Sequence, residues 1–430
     1  QSAEPAVLGL HREIEDGPSL RRGRDDGQGR TEVRINGHAS TVVPMLRVGM
    51  VCPYSLTIPG GVQQQVMGLA RSMRAKGHEV RVLGPCDGPP PASFVTPLGN
   101  SLPTAANGSI APLAPDIPAA LRTIRALNDE AFDVLHVHEP LVPGPSLTAV
   151  LMKMAPIVAT FHSAGDSAVY RVFNRSAIKV ASRVDIRVAV SKDAVELAQR
   201  YTYGEYEVLF NGIELDAFDG PSLPRENAVF YIGRHEPRKG LGVLLEAMQM
   251  LPPDVRLWVA SEGPETAALK ERFGHDRRIE WLGRISDDEK VRRLKSARAF
   301  CAPSLRGESF GIVLLEAMAA GVPVVASRID GYTNVATDDV DSLLVEPQDP
   351  RALADALARV LVDPRLSSRL VEAGLGRASH YSMDSLADRY IEIYERALRL
   401  EESDVTVIEV PRMLRRYEHR FLRRSRPGRK

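Results

Sequence analysis

Two carboxylates, Glu308 and Glu316, are separated by seven residues in the run Glu308-Ser309-Phe310-Gly311-Ile312-Val313-Leu314-Leu315-Glu316, which continues into Ala317-Met318-Ala319-Ala320-Gly321. The apolar spacing predicts a helix that begins at about Glu308, with Glu316 about two turns along the same face. Ionised carboxylates accept hydrogen bonds from hydroxyls, so the pair suits a polyhydroxylated ligand such as a ribose and a sugar, while amides free at the helix start can serve an anion. The plainer alternative is helix-dipole compensation by Glu308 and a surface position for Glu316. In so apolar a helix Glu316 needs a partner, which favours the functional reading.

Cations suited to the anionic part of such a ligand stand upstream. Gly233-Arg234 ends an apolar run of strand length, and Pro237-Arg238-Lys239-Gly240 follows. An Arg with a Lys at the carboxyl end of a parallel strand suits a pyrophosphate, although charge alone favours a solvated basic loop. Gly60-Gly61 stands between a strand and a helix, where exposed amides and the missing Cβ admit a phosphate or simply form a tight turn. The full dinucleotide fingerprint is absent there. His162 follows the strand ending at Phe161 and could hydrogen-bond a substrate hydroxyl or move a proton. His136 and His138 alternate with apolar residues, so core packing and strand-end hydrogen bonding are expected of them, and no zinc spacing includes them. Asp339-Val340-Asp341 reads as a solvated turn, Asn107-Gly108-Ser109 as an incidental sequon, and Ser286 to Glu289 as a helix capping box.

The elements that must position these residues repeat. Leu46 to Val51, Val80 to Leu83, Val134 to His138, Ile157 to Phe161 and Arg187 to Val190 are short apolar runs separated by helical stretches. A second series starts at Val229 to Ile232 and continues through Val255 to Val259, Phe300 to Ala302 and Val322 to Ala326. Alternation of this kind predicts an α/β fold with two doubly wound parallel sheets, one in each of two domains. The expected organisation is a disordered arm over 1–44, a first domain over 45–215, a second over 216–380, closing helices over 381–400 that pack back toward the first domain, and a basic tail over 401–430.

Composition limits the function classes. The chain has 430 residues, with 55 Lys and Arg against 55 Asp and Glu, so it has no bulk electrostatic drive toward nucleic acid. At 44% hydrophobic and 26% charged it can bury two cores. Cys52, Cys86 and Cys301 lie too far apart for a disulfide framework or a metal cluster, which fits a reducing compartment. No apolar run has membrane-spanning length and no signal-peptide order is present, so a cytoplasmic protein is expected. Basic residues concentrate at the far end, where Tyr417, Phe421 and Leu422 stand among arginines. This tail could anchor to anionic phospholipid on the inner face of the plasma membrane, or simply be solvated.

Together, Gly60-Gly61, Thr160-Phe161-His162, Gly233-Arg234 with Lys239-Gly240, and Glu308-x7-Glu316 with its Ala-Met-Ala-Ala-Gly continuation resemble the family 4 retaining glycosyltransferases over Met45 to about Leu400. Within that family, Gly49-Met50-Val51-Cys52-Pro53-Tyr54-Ser55, His138-Glu139-Pro140 and Gly307 to Leu314 are similar to the actinobacterial phosphatidylinositol mannosyltransferases. The resemblance implies the GT-B fold, two Rossmann-like domains facing a central cleft, with a nucleotide-sugar donor, GDP-mannose above all, and transfer of a hexose to an inositol-containing lipid. It implies front-face attack in which the leaving phosphate takes the acceptor proton, without a cofactor or a metal.

Carried onto matching positions, Gly60 and Gly61 would meet the donor phosphate, Arg234 and Lys239 the pyrophosphate, and Glu316 the ribose. Glu308 and the amides around Phe310, Gly311 and Ile312 would orient the transferred sugar, and His162 would reach it from the first domain. Arg284, Ile285 and Lys290 would wall the base, and Tyr54 would lie against the inositol ring. The acceptor side departs from the pattern: Asp116 to Glu130 carries only Arg122 and Arg125 against three acids, and Ala111 to Pro115 is apolar. A UDP-sugar with a soluble or secondary-metabolite acceptor, a sugar-nucleotide epimerase or hydrolase of the same fold, and a non-catalytic nucleotide-binding protein are the competing readings.

Overall fold

A computed structural model describes residues 45–106, 109–163, 174–221, 223–308 and 310–404. The expected arm over 1–44, the tail from 405 onward, and Asn107-Gly108 of the sequon lie outside the described residues. All the elements below belong to one compact unit that starts at Met45.

The first half contributes strands Arg47–Val51 (β1), Glu79–Gly84 (β2), Val95–Pro97 (β3), Leu102–Ala106 (β4), Ser109–Leu113 (β5), Val134–His138 (β6), Ile157–Phe161 (β7), Ile186–Ala189 (β8) and Glu207–Val208 (β9). Seven of them form a parallel sheet in the order β3-β2-β1-β6-β7-β8-β9, while β4 and β5 pair as an antiparallel hairpin. The second half contributes Glu226–Ile232 (β10), Arg256–Ala260 (β11), Ile279–Gly283 (β12), Ala297–Ala302 (β13), Val324–Ser327 (β14) and Leu343–Val345 (β15), in the order β12-β11-β10-β13-β14-β15. Every pairing in this second sheet is parallel. Strand β7 is fully buried and nearly all apolar, as expected of a parallel strand covered on both faces, whereas the equally buried β6 carries His136 and His138.

Strand order reverses between β1 and β6 in the first sheet and between β10 and β13 in the second. Crevices for ligands open at the carboxyl ends of strands at such points. Gly60-Gly61 follows β1 and Arg234 to Lys239 follows β10, so the sheet topology delivers both segments to these crevices.

The chain passes between the sheets twice, and the two passages run side by side: Ile213 donates its N–H to the Tyr381 carbonyl at 2.8 Å, and Met383 donates to the Ile213 carbonyl at 2.8 Å. The closing segment is one helix, Met383–Asp404, whose Leu386, Tyr390, Ile393, Tyr394 and Ala397 pack into the core of the first sheet. The Gly61–Ala75 helix is tied to the crossing as well. The Gln65 side-chain amide exchanges two hydrogen bonds with the Gly212 backbone, at 2.7 and 2.8 Å, and Arg71 pairs with Glu214.

Two expectations are corrected. The helix expected from Glu308 begins at Ile312, because Gly311 adopts a left-handed conformation (φ 86°) that no continuous helix tolerates. Glu308 therefore lies in the preceding loop, and the two carboxylates do not share a helix face. Asp341, expected in a solvated turn, is buried: it accepts from Thr337 N at 2.7 Å and pairs with Arg377 at 2.9 Å.

Candidate functional site

Two helix starts meet at the site. Gly60 caps the Gly61–Ala75 helix and Gly311 caps the Ile312–Ala319 helix, and neither cap supplies a side-chain hydrogen bond to the first-turn amides. A Cβ built on Gly61 would have Ile312 Cδ1, at 3.9 Å, as its only neighbour within 4 Å. Amides from both sheets, each with its helix dipole behind it, thus face one cleft, which is favourable for an anion. Phe310 is buried beside this turn with its ring edge-on to Tyr381.

Cations of the second half are each held by an acid, and two of those acids, Glu308 and Glu316, stand just before the Ile312–Ala319 helix and on it. Arg234 pairs with Glu236 at 3.3 Å, Lys239 with Glu308 at 2.5 Å, and Lys290 with Glu316 at 2.9 Å. Glu236 also receives Arg238 at 3.0 Å. The loop after β13 is locked to this cluster. Leu305 N donates to the Arg238 carbonyl at 2.7 Å, and Ser304 Oγ bonds Glu308 Oε1 at 3.0 Å and the Tyr332 hydroxyl at 2.8 Å. Gly331 lets the loop approach, since a Cβ there would lie 1.9 Å from the Glu308 carbonyl oxygen. Burial alone would lower the Lys290 ammonium pKa, but Glu316 and Asp287 outweigh it and the net shift is upward, so Lys290 is cationic.

His162 is buried at the carboxyl end of β7. Its backbone N–H and that of Ser163 donate to Glu139 Oε1 at 2.8 and 2.6 Å, and its Nε2 lies 2.9 Å from His138 Nδ1. Burial pushes the His162 pKa down to about 3, so the ring is neutral at any working pH. It can bond a hydroxyl but brings no charge.

Of the residues expected to wall a base, Ile285 is partly buried against the second core, Arg284 is 85% exposed and 3.6 Å from Glu262, and Lys290 instead joins Glu316. Tyr54 is half-buried and bridges in antiparallel fashion to Leu113 of the hairpin; burial and the Glu139 charge push its phenol pKa well above the usual value. Sequence reasoning missed Glu236, the acid between Arg234 and Arg238. It also assigned no role to Glu139, which fixes the His162 backbone from a left-handed conformation (φ 49°). The signal for Glu139 was its place directly after a strand and before Pro140. Among the described residues, no group of three or more His, Cys, Asp and Glu side chains is disposed to hold a metal ion.

The chain matches the family Glycosyltransferase Family 4 over residues 59–217 and the family Glycosyl transferases group 1 over residues 213–377. It is 40% identical over 364 residues to the phosphatidyl-myo-inositol mannosyltransferase of Mycobacterium leprae, covering 81% of this chain and 96% of that one. The corresponding enzyme of Propionibacterium freudenreichii is 33% identical, covering 81% and 94%. A D-inositol 3-phosphate glycosyltransferase of Xylanimonas cellulosilytica is 28% identical, covering 79% and 92%. Among solved structures, sucrose-phosphate synthase from Thermosynechococcus elongatus superposes with a TM-score of 0.68 at 19% identity, over 83% of this chain and all of that one. HepE from Anabaena, in complex with UDP-glucose, superposes with a TM-score of 0.65 at 18% identity, over 82% and all of the other.

Proposed function

The chain belongs to the family 4 glycosyltransferases, among the phosphatidyl-myo-inositol mannosyltransferases, and from that premise we propose that it moves mannose from GDP-mannose to an inositol-containing lipid with retention at the anomeric carbon. The observation that carries the donor half of this reading is the meeting of the Gly61 and Ile312 helix starts, with Lys239 held on Glu308 just before the second of them and Arg234 held on Glu236 in the loop after β10. A pyrophosphate needs amides, cations and an absent Cβ in one place, and these residues supply all three.

In the proposed reaction the bond from the anomeric carbon to the donor phosphate breaks as the bond to the acceptor oxygen forms on the same face. The acceptor proton passes to the departing phosphate oxygen. Arg234 and Lys239 compensate the charge on that phosphate, so the proposal requires no resident metal. Glu316 receives the ribose hydroxyls while still holding Lys290. Glu308 exchanges part of its bond to Lys239 for the sugar hydroxyls, and the neutral His162 bonds the sugar from the first sheet.

For the acceptor, Tyr54 bridges to Leu113, and the Ile117–Glu130 helix that follows Leu113 in the chain exposes Ile117 and Leu121 one turn apart. This apolar edge suits lipid chains in place of the basic helix that the family resemblance would supply. No described helix is long and apolar enough to cross a membrane, so the lipid would be met at the surface, and we propose a peripheral enzyme of the cytoplasmic leaflet.

The test is a product assay with GDP-mannose and UDP-sugars side by side, offered phosphatidylinositol in vesicles, a soluble inositol phosphate, or no acceptor. The expected product is mannosylated phosphatidylinositol from GDP-mannose. Transfer only to the soluble inositol phosphate would move the acceptor to the chemistry named for the Xylanimonas relative. Rapid release of free sugar without any acceptor would overturn the transferase reading.

A further inference from the structure

Three histidines gather at the carboxyl ends of β6 and β7, and the reaction proposed above uses one of them. His136 has both ring nitrogens satisfied, Nδ1 by the Tyr394 hydroxyl and Nε2 by the Thr160 hydroxyl, each at 2.7 Å. Thr160 is itself 2.8 Å from the Tyr390 hydroxyl. Hydroxyls rotate to donate or to accept, so either tautomer of His136 is satisfied.

His138 has no such freedom. Its Nδ1 is 2.9 Å from His162 Nε2, its Nε2 is buried without a hydrogen-bond partner, and its ring lies against that of His136 with centroids 4.1 Å apart. Burial, reinforced for His136 and His138 by the neighbouring imidazoles, holds all three rings neutral. A neutral imidazole carries one N–H and one lone pair. With its proton on Nε2, His138 would bury an N–H that has no acceptor, a rare and costly orphan. With the proton on Nδ1, the bond to His162 is made and only a lone pair goes unused.

We infer that His138 donates through Nδ1–H to His162 Nε2 and so fixes His162 in the tautomer that carries its proton on Nδ1. His138 is thus a positioning residue, and Tyr390 and Tyr394 of the Met383–Asp404 helix support it by seating His136 beneath its ring. The tautomer follows from the hydrogen-bond geometry of three buried, neutral rings and does not depend on the function. Its consequence, that His162 donates a hydrogen bond to the sugar and cannot serve as a base, rests on the glycosyltransferase reading. Both His162 lone-pair options are then closed: Nε2 is occupied and Nδ1 is protonated. This leaves the departing phosphate as the proton acceptor.

The test is long-range proton–nitrogen NMR on the full chain labelled with nitrogen-15 histidine, with the His162 signals identified by their loss in His162→Gln. The expected spectrum shows a protonated Nδ1 and an unprotonated Nε2 at His162. A protonated Nε2 at His162 would overturn the proposal, and this reading requires neither activity nor a substituted His138. In His138→Phe the donor is gone, so His162 should become a mixture of tautomers and kcat should fall about tenfold with donor KM nearly unchanged. His138→Asn keeps an N–H near the Nδ1 position and should restore both the tautomer and most of kcat. An unchanged His162 tautomer in His138→Phe would equally overturn it. Failure of sugar transfer in the wild-type chain would instead strike the function reading and leave the spectrum to judge the tautomer.

Discussion

Lys290 Nζ lies 2.9 Å from Glu316 Oε1, and the two side chains are only 11% and 15% exposed. Glu316→Ala removes both the ribose acceptor and the buried partner of an ammonium, leaving Asp287 at 3.2 Å, itself 83% exposed, as the remaining counter-charge. The expected result is a stability loss of about 2–4 kcal/mol together with weaker nucleotide binding. Glu316→Gln keeps hydrogen-bond acceptance and should lose less of each. Calorimetry with GDP decides the matter, because unchanged nucleotide affinity in Glu316→Ala would remove Glu316 from the ribose.

Gly61 is a second handle. Its backbone is ordinary helix and a Cβ there is sterically free, with Ile312 Cδ1 at 3.9 Å as the nearest contact. In an empty protein Gly61→Ala should therefore raise helix stability by about 0.5–1 kcal/mol. With donor present the same methyl stands between two sets of amides and should weaken donor binding at least tenfold. Raised melting temperature with intact donor affinity would mean that no phosphate approaches Gly61.

How these residues came to be readable differs from case to case. Arg234 and His162 were legible because each comes within two residues of the end of an apolar run, and Gly60-Gly61 because it closes the loop between such a run and a helix; a doubly wound sheet sends all these positions to the same edge. Strands β3, β9 and β15 were not, being two or three residues long, too short for any period to show. The β4–β5 hairpin has Pro103 and Pro112 in it, which argue against strand in a local reading. Glu308 was misplaced onto a helix because apolar spacing runs through Gly311, whereas the left-handed turn there is set by packing: a Cβ on Gly311 would lie 3.0 Å from Tyr332 Cδ1. The acid–base pairings were invisible because Lys239 and Glu308, or Lys290 and Glu316, are brought together only by the sheet.

The Glu308 loop gives a prediction that separates sugar from nucleotide. In Gly331→Ala a methyl would sit 1.9 Å from the Glu308 carbonyl, a backbone atom that cannot rotate away. The loop must shift, at a cost of about 1–3 kcal/mol, and Glu308 leaves its place beside Lys239. Sugar transfer should fall at least tenfold while GDP affinity, which depends on Glu316, changes little. Gly376→Ala is the control, since nothing lies within 4 Å of the added Cβ. Equal activity in the two variants would show that the Glu308 position does not matter to transfer.

Stability should carry the imprint of the three buried imidazoles. Folding lowers the pKa of His136 and of His162 from the ordinary 6.5 to about 3, and burial with the two neighbouring imidazoles holds that of His138 well below the ordinary value too. Below pH 6.5 the unfolded chain binds protons that the folded chain refuses, so this contribution is complete above 6.5 and is lost as pH falls toward 3. Each such histidine costs about 1.4 kcal/mol per pH unit within that window. Depressed carboxylates such as Asp276 and Glu289 add to the slope in the acid part of the range, so the difference between two proteins is the cleaner measure. Denaturant unfolding of wild type and His138→Phe between pH 5 and pH 6.5 should give curves that converge or diverge by about one proton as pH falls. The variant should show the shallower acid loss. Parallel curves would mean that His138 takes up a proton in the folded chain, and the neutral cluster beneath His162 would have to be abandoned.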